Sequence, residues 1–258
     1  MKRMILTIVC ALFSCSIIAQ TTYNMKIKQG TGSTLSATSS VDEITFPLAS
    51  SFTCGDVILY GGETYHTVSI GSQCWFQENL NIGTRIDAAT GQANNTPTNI
   101  IEKYCYGNSD ASCITYGGLY QWAEAVQYLN GATNTTSPDP ALTGNVQGIC
   151  PTGWHIPTQA EFQSLSTVVV GNSNPLKALG QGTLDGIGTN TSGFSALLAG
   201  YCDYWGVFDN LERDIYFWSS TEFNGYEAGD LHLITTGSII YLYGEVKFSG
   251  LSVRCVKD

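Results

Sequence analysis

Short apolar runs divided by turn residues make up most of this chain, and the pattern shifts to a helical period in only a few places. Val57-Ile58-Leu59-Tyr60 and residues 65–70 flank Gly61-Gly62, and Cys74-Trp75-Phe76 follows. Gly-Gly between two such runs predicts a hairpin. Cys54 and Cys74 then face each other across its base, where a bridge is worth about 3 kcal/mol of unfolded-chain entropy. Residues 83–117 read as a long polar loop whose end Cys105 and Cys113 staple. Leu119, Trp122, Ala123 and Val126 recur at i, i+3, i+4 and i+7, which predicts the first helix. Residues 130–148 return to loop, and Trp154-His155-Ile156 makes a short strand. The second helix opens after Pro157, with Thr158 as N-cap, Glu161 completing a capping box, and Phe162, Leu165 and Val169 as its apolar stripe. Asn174-Pro175 opens a shorter helix ending at Gly180. Beyond Gly193 the pattern is of strands, over residues 194–201, 215–220, 231–235, 239–243 and 251–256.

Two main helices early and an antiparallel sheet late predict an α+β domain over residues 54–258. Cys150 and Cys255 bracket the sheet region, and a bridge closing so long a loop is worth close to 5 kcal/mol by loop-closure entropy. Cys202 is left over.

Residues 1–19 have the form of a signal peptide: Lys2 and Arg3, an apolar run over residues 4–13, and a small-residue exit at Ala19-Gln20. A lipid anchor at Cys15 is the alternative, since Leu12-Phe13-Ser14-Cys15 approximates a lipobox, but the bulk of Phe13 disfavours it. Residues 20–50 form an N-terminal extension or linker, with short strands over 23–28 and 41–46 around a Gly/Ser/Thr stretch. No later run reaches the 18 apolar residues of a membrane span. The leader predicts a secreted or cell-surface protein, in a compartment where disulfides persist.

Charge narrows the partners. Without Lys2 and Arg3 the chain carries 9 basic and 21 acidic side chains, a net charge of −12. Nucleic acid is excluded, because phosphates need a basic face. The remaining partners are an extracellular glycan or a protein; nothing in the sequence sets the oligomeric state.

The candidate chemistry is sparse. His66, His155 and His232 fall in no metal-binding spacing, and no phosphate-binding glycine motif or nucleophile elbow is present. The expectation is therefore no catalytic residue, no metal and no cofactor, and His155 reads as a satisfied core histidine. Carboxylates, amides and aromatics interleave over residues 203–214 and 222–230, and flat rings with hydrogen-bonding neighbours suit sugars. Tyr204, Trp205, Asp209, Asn210, Glu222 and Asn224 are the candidate ligand-binding residues. Calcium is the alternative those oxygens raise. A glycosidase would need a carboxylate pair flanking a cleft, and no pair stands out. Tyr216, Trp218, Tyr241 and Tyr243 read as sheet-face packing.

A set of phrases carries a resemblance: residues 70–80 (Ile-Gly-Ser-Gln-Cys-Trp-Phe-Gln-Glu-Asn-Leu), Tyr116-Gly117-Gly118-Leu119-Tyr120-Gln121-Trp122, and residues 148–157 (Gly-Ile-Cys-Pro-Thr-Gly-Trp-His-Ile-Pro). Phe217-Trp218-Ser219-Ser220-Thr221-Glu222 and Ser252-Val253-Arg254-Cys255-Val256 continue it. In this order they resemble the Fibrobacter succinogenes major paralogous domain, a family of exported bacterial domains. Cys202 departs from its pattern. The family is similar to the C-type lectin-like fold, in the variant shared with formylglycine-generating enzymes. That resemblance implies a helix pair with a twisted sheet, serving as a binding scaffold. Neither the sugar-site turns of such lectins nor a reactive cysteine pair is present; Pro138-Asp139-Pro140 is the nearest turn. The expected function is a binding module for a glycan or partner protein, with a structural adhesin domain or a carbohydrate hydrolase as alternatives.

Overall fold

A computed structural model describes residues 26–28, 34–36, 52–88 and 100–258, which divide into units Met1–Phe52 and Thr53–Asp258. In the first unit β1 (Lys26–Lys28) pairs antiparallel with β2 (Thr34–Ser36), Ile27 opposite Leu35. β1 falls within the expected strand, whereas β2 lies in the Gly/Ser/Thr stretch. The leader, Cys15 and the strand expected over 41–46 lie outside the described residues.

The second unit opens with β3 (Val57–Tyr60), β4 (Glu63–Ile70) and β5 (Gln73–Phe76), an antiparallel meander. Gly61 and Gly62 turn its first corner at φ of 60° and 88°, which favours glycine at both positions. The parallel pair β6 (Thr84–Arg85) and β7 (Glu102–Lys103) comes next, then α1 (Asp110–Tyr116), α2 (Trp122–Ala125), β8 (Trp154–His155) and α3 (Gln159–Val168). β9 (Ala199–Cys202), β10 (Phe208–Leu211), β11 (Asp214–Glu222), β12 (Glu227–Ile234), β13 (Ile240–Val246) and β14 (Val256–Lys257) complete it. One sheet has the order β3-β4-β5-β14-β8 and the other β10-β9-β11-β12-β13.

This corrects the expected fold class. Among the described residues strand outweighs helix, there are two five-stranded sheets, and the three α-helices are short, so two main helices with one twisted sheet do not describe the domain. Long-range pairing overrode the helical periods. The amide of Leu119 donates to Tyr104 O at 2.9 Å and that of Tyr120 to Leu251 O at 2.8 Å, so the expected first helix shrinks to the four residues of α2. Left-handed Gln127 and Tyr128, at φ 55° and 52°, stop it at the other end. The helix expected after Pro175 is absent, because Ala178 N donates to Ala196 O and Ala196 N to Leu176 O, holding the segment in bridges. Conversely, α1 lies inside the expected polar loop. Of the strand expected over 194–201 only β9 forms, beyond Ser195, which sits at φ 58°.

α3 begins as expected. Glu161 N donates to Thr158 Oγ1 at 3.2 Å and Thr158 N to Glu161 Oε2 at 2.8 Å, a reciprocal cap worth about 1 kcal/mol. α3 buries Phe162 and Leu165 in a core shared by both sheets, with Trp75, Phe194, Phe217, Leu231 and Val256. Trp75 stacks on Phe162 at 5.8 Å and meets Phe194 edge-on at 5.6 Å. Disulfides Cys54–Cys74, Cys105–Cys113 and Cys150–Cys255 form in the expected pairs, and Cys202 is buried outside them. His155 is a clamp: its Nε2 meets Glu161 Oε1 at 2.9 Å and its Nδ1 meets Asp258 Oδ1 at 2.8 Å.

Candidate functional site

Between β9 and β10 the chain turns around Asp203, whose Oδ1 accepts from the amides of Trp205 and Val207, both at 2.8 Å. The backbone closes beneath, Asp203 N donating to Val207 O at 2.8 Å. With its amides so engaged, the turn directs its apolar side chains to solvent. Tyr204 is 44% and Trp205 53% exposed, their ring centroids 4.6 Å apart, and Val207 is exposed beside them. Asp209, on β10 opposite Tyr201, is exposed, and its Oδ1 accepts from Asn210 N at 2.7 Å. Asn210 is left-handed at φ 61° and hydrogen-bonds Tyr216 through its side chain. Four of the six expected residues therefore share one hairpin.

Glu222 and Asn224 lie on another hairpin, between β11 and β12, and hold it together. Glu222 Oε1 accepts from Nζ of Lys247, which is fully buried, lies 4.4 Å over the Trp122 ring and also donates to Gly225 O. Asn224 Oδ1 accepts from the amides of Tyr226 and Glu227, and its Nδ2 donates to Glu227 Oε2 at 2.8 Å. The large rings this turn exposes are Phe223 and Tyr226, neither of them among the six expected ligand-binding residues.

The face of the second sheet opposite the core carries a ladder of rings. Tyr201 meets Tyr216 at 5.0 Å, Tyr216 stacks on His232 at 4.0 Å, and His232, Tyr241 and Tyr243 follow at 5.5 Å intervals. Tyr216, His232 and Tyr241 lie directly opposite one another, so the expected sheet-face packing is cross-strand pairing. Burial, then the charge of Asp214, raises the Tyr216 pKa. Asp230, beside this ladder between Trp218 and Tyr243, is 2% exposed, and burial, then the charge of Glu245, pushes its pKa up to about 7.

Where the β4–β5 hairpin, α1 and the segment preceding β9 meet, they leave a cleft of about 330 Å³ whose wall includes Glu63, Glu78, Asn79, Thr115, Ser195 and Arg254. Arg254 is 1% exposed. One terminal nitrogen donates to Phe194 O and the other to Asn79 Oδ1 at 2.5 Å, while the guanidinium lies 4.2 Å over the Phe194 ring and 4.9 Å from that of Phe217. Burial pulls its pKa down to about 9, and it remains a cation at neutral pH. The sequence signal for this cleft was a charged residue inside the apolar run 251–256.

Among the described residues, no group of three His, Cys, Asp or Glu side chains could hold a metal ion, and no helix is long and apolar enough to cross a membrane. Two sheets sharing one core, together with three disulfides, define a disulfide-bonded, β-rich domain. The chain belongs to the Fibrobacter succinogenes major domain family, which matches residues 68–257. Comparison with curated proteins and with solved structures finds no match.

Proposed function

We propose that this domain is an exported, non-catalytic binding module that holds an extracellular glycan on the hairpin between β9 and β10. The exposed Tyr204–Trp205 pair on a turn fixed by Asp203 carries the reading. Two large rings displayed from a preorganised turn lose little conformational freedom on binding, and a sugar's C–H face gains apolar contact with them. The carboxylate of Asp209 and the side chain of Asn210 offer hydrogen bonds to hydroxyls on the same hairpin. Export and surface or extracellular location rest on the leader and agree with the three disulfides. A glycan array probed with and without chelator, using wild type and Trp205→Ala, tests the reading. Retention of a glycan by wild type that chelator leaves intact and Trp205→Ala reduces at least tenfold is the expected result. Turnover of a labelled polysaccharide would refute it in favour of hydrolysis. The exposed Val207, Phe223 and Tyr226 favour a protein partner as the second reading, as in an adhesin.

A further inference from the structure

We propose that the cleft over Arg254 is a second binding site, selective for a small ligand bearing a carboxylate, with a uronic acid as its glycan form. Arg254 lines the cleft, and so does Asn79, one of the two anchors of its guanidinium; the other, the carbonyl of Phe194, is next to the lining residue Ser195. Both anchors are neutral oxygens. Nε is buried and has no hydrogen-bond partner, and no ion pair to Arg254 occurs among the described residues. A buried cation is ordinarily paired, and a buried N–H without an acceptor is unfavourable, so this side chain holds an unused capacity for an anion. A carboxylate matches it best, since its two oxygens fit the planar fork of a guanidinium.

The acids in the wall do not fill that role. Glu78 accepts from the His66 amide at 2.7 Å and meets its ring Nδ1 at 2.8 Å, and Glu63 accepts from Asn81 Nδ2 at 3.2 Å. The negative charge of Glu78 acts on Arg254 without a hydrogen bond. The wall oxygens of Glu63 and Glu78 instead suit the hydroxyls of a ring whose acid group points at Arg254, while Asn79 Nδ2 is held by Tyr116 O and Ser252 Oγ. The cleft volume is at the lower end for small-ligand sites, which span about 300–1,000 Å³. The inference stands whether or not the β9–β10 hairpin binds a glycan.

The test compares D-galacturonate, D-galactose and acetate on the full chain, by calorimetry and by the arginine Nε–H resonances in NMR. The expected result is that galacturonate binds about tenfold or more tightly than galactose, and that galacturonate and acetate both shift the Arg254 Nε–H signal. Thr115→Trp fills the cleft from an exposed position of α1 whose side chain bonds Ala111 O, on its own helix, and it abolishes both effects; Trp205→Ala leaves them unchanged. Equal affinity for the two sugars, no galacturonate binding, or an unmoved Nε–H signal would overturn the proposal. So would binding that survives Thr115→Trp and disappears in Trp205→Ala.

Discussion

Replacing Asp230 by asparagine measures how strongly burial governs the outer face of the second sheet. The carboxyl lies between Trp218 and Tyr243 on β12, and burial, then Glu245, lifts its pKa from the ordinary 3.8 to about 7. Between those values the folded protein keeps a proton that the unfolded chain releases. Stability from this group is thus full below about pH 4 and is lost as the pH rises to about 7. A gap of about 3 pH units at 1.36 kcal/mol each sets the loss at about 4 kcal/mol. Asparagine is neutral throughout, so Asp230→Asn has nearly wild-type stability at pH 4 and gains up to about 4 kcal/mol at pH 8. Urea unfolding under non-reducing conditions at pH 4, 6 and 8, followed by tryptophan fluorescence, gives the difference between the two proteins. Glu245→Gln serves as a control that narrows the gap without closing it, because burial is the larger cause. A difference that stays flat with pH, or a less stable variant at pH 8, would refute the reasoning.

Other perturbations have equally definite outcomes. Burial works against the charged form of His155, but the hydrogen bonds and charges of Glu161 and Asp258 prevail and raise its pKa, so its contribution is full below about pH 6.5 and lost as pH rises through the folded value. Glu161 is the mirror case: burial would raise it, yet His155 and Thr158 lower it, and its contribution is lost as pH falls through its folded value. His155→Gln therefore costs about 2 kcal/mol near pH 5.5 and clearly less at pH 9, read from unfolding curves at both. Glu222→Ala leaves the buried Lys247 without its carboxylate and costs about 3–5 kcal/mol, whereas Glu222→Leu with Lys247→Met recovers most of it; a double variant no better than the single one contradicts that account.

What could be read from the sequence was set by neighbours along the chain. Gly61-Gly62 specifies its hairpin, Thr158 and Glu161 specify a helix start, and the three disulfides follow from cysteines that bracket local or framing segments. Leu119 and Tyr120 show the limit. The spacing of Leu119 with Trp122 and Val126 is helical, but carbonyls of Tyr104 and Leu251 take the amides of Leu119 and Tyr120, and no local rule announces such distant partners. The candidate site divides in the same way. Tyr204 and Trp205 stand out because Asp203 organises their turn from two and four residues away, while the role of Glu222 depends on Lys247 on the far side of β13. Arg254 went unrecognised as a cleft residue because hairpin, helix and loop from remote parts of the chain build the wall around it.

The stretch from Leu251 to Val256 has a consequence for how the protein is made. It exchanges backbone bonds with Tyr120, Tyr216, Trp218 and Leu80, and Val256 pairs with both Trp75 and His155, so β5 and β8 have no common neighbour until it arrives. A nascent chain still short of these residues leaves β5 and β8 unjoined and cannot adopt the finished fold. Native structure in this domain is therefore completed only once synthesis has passed residue 256.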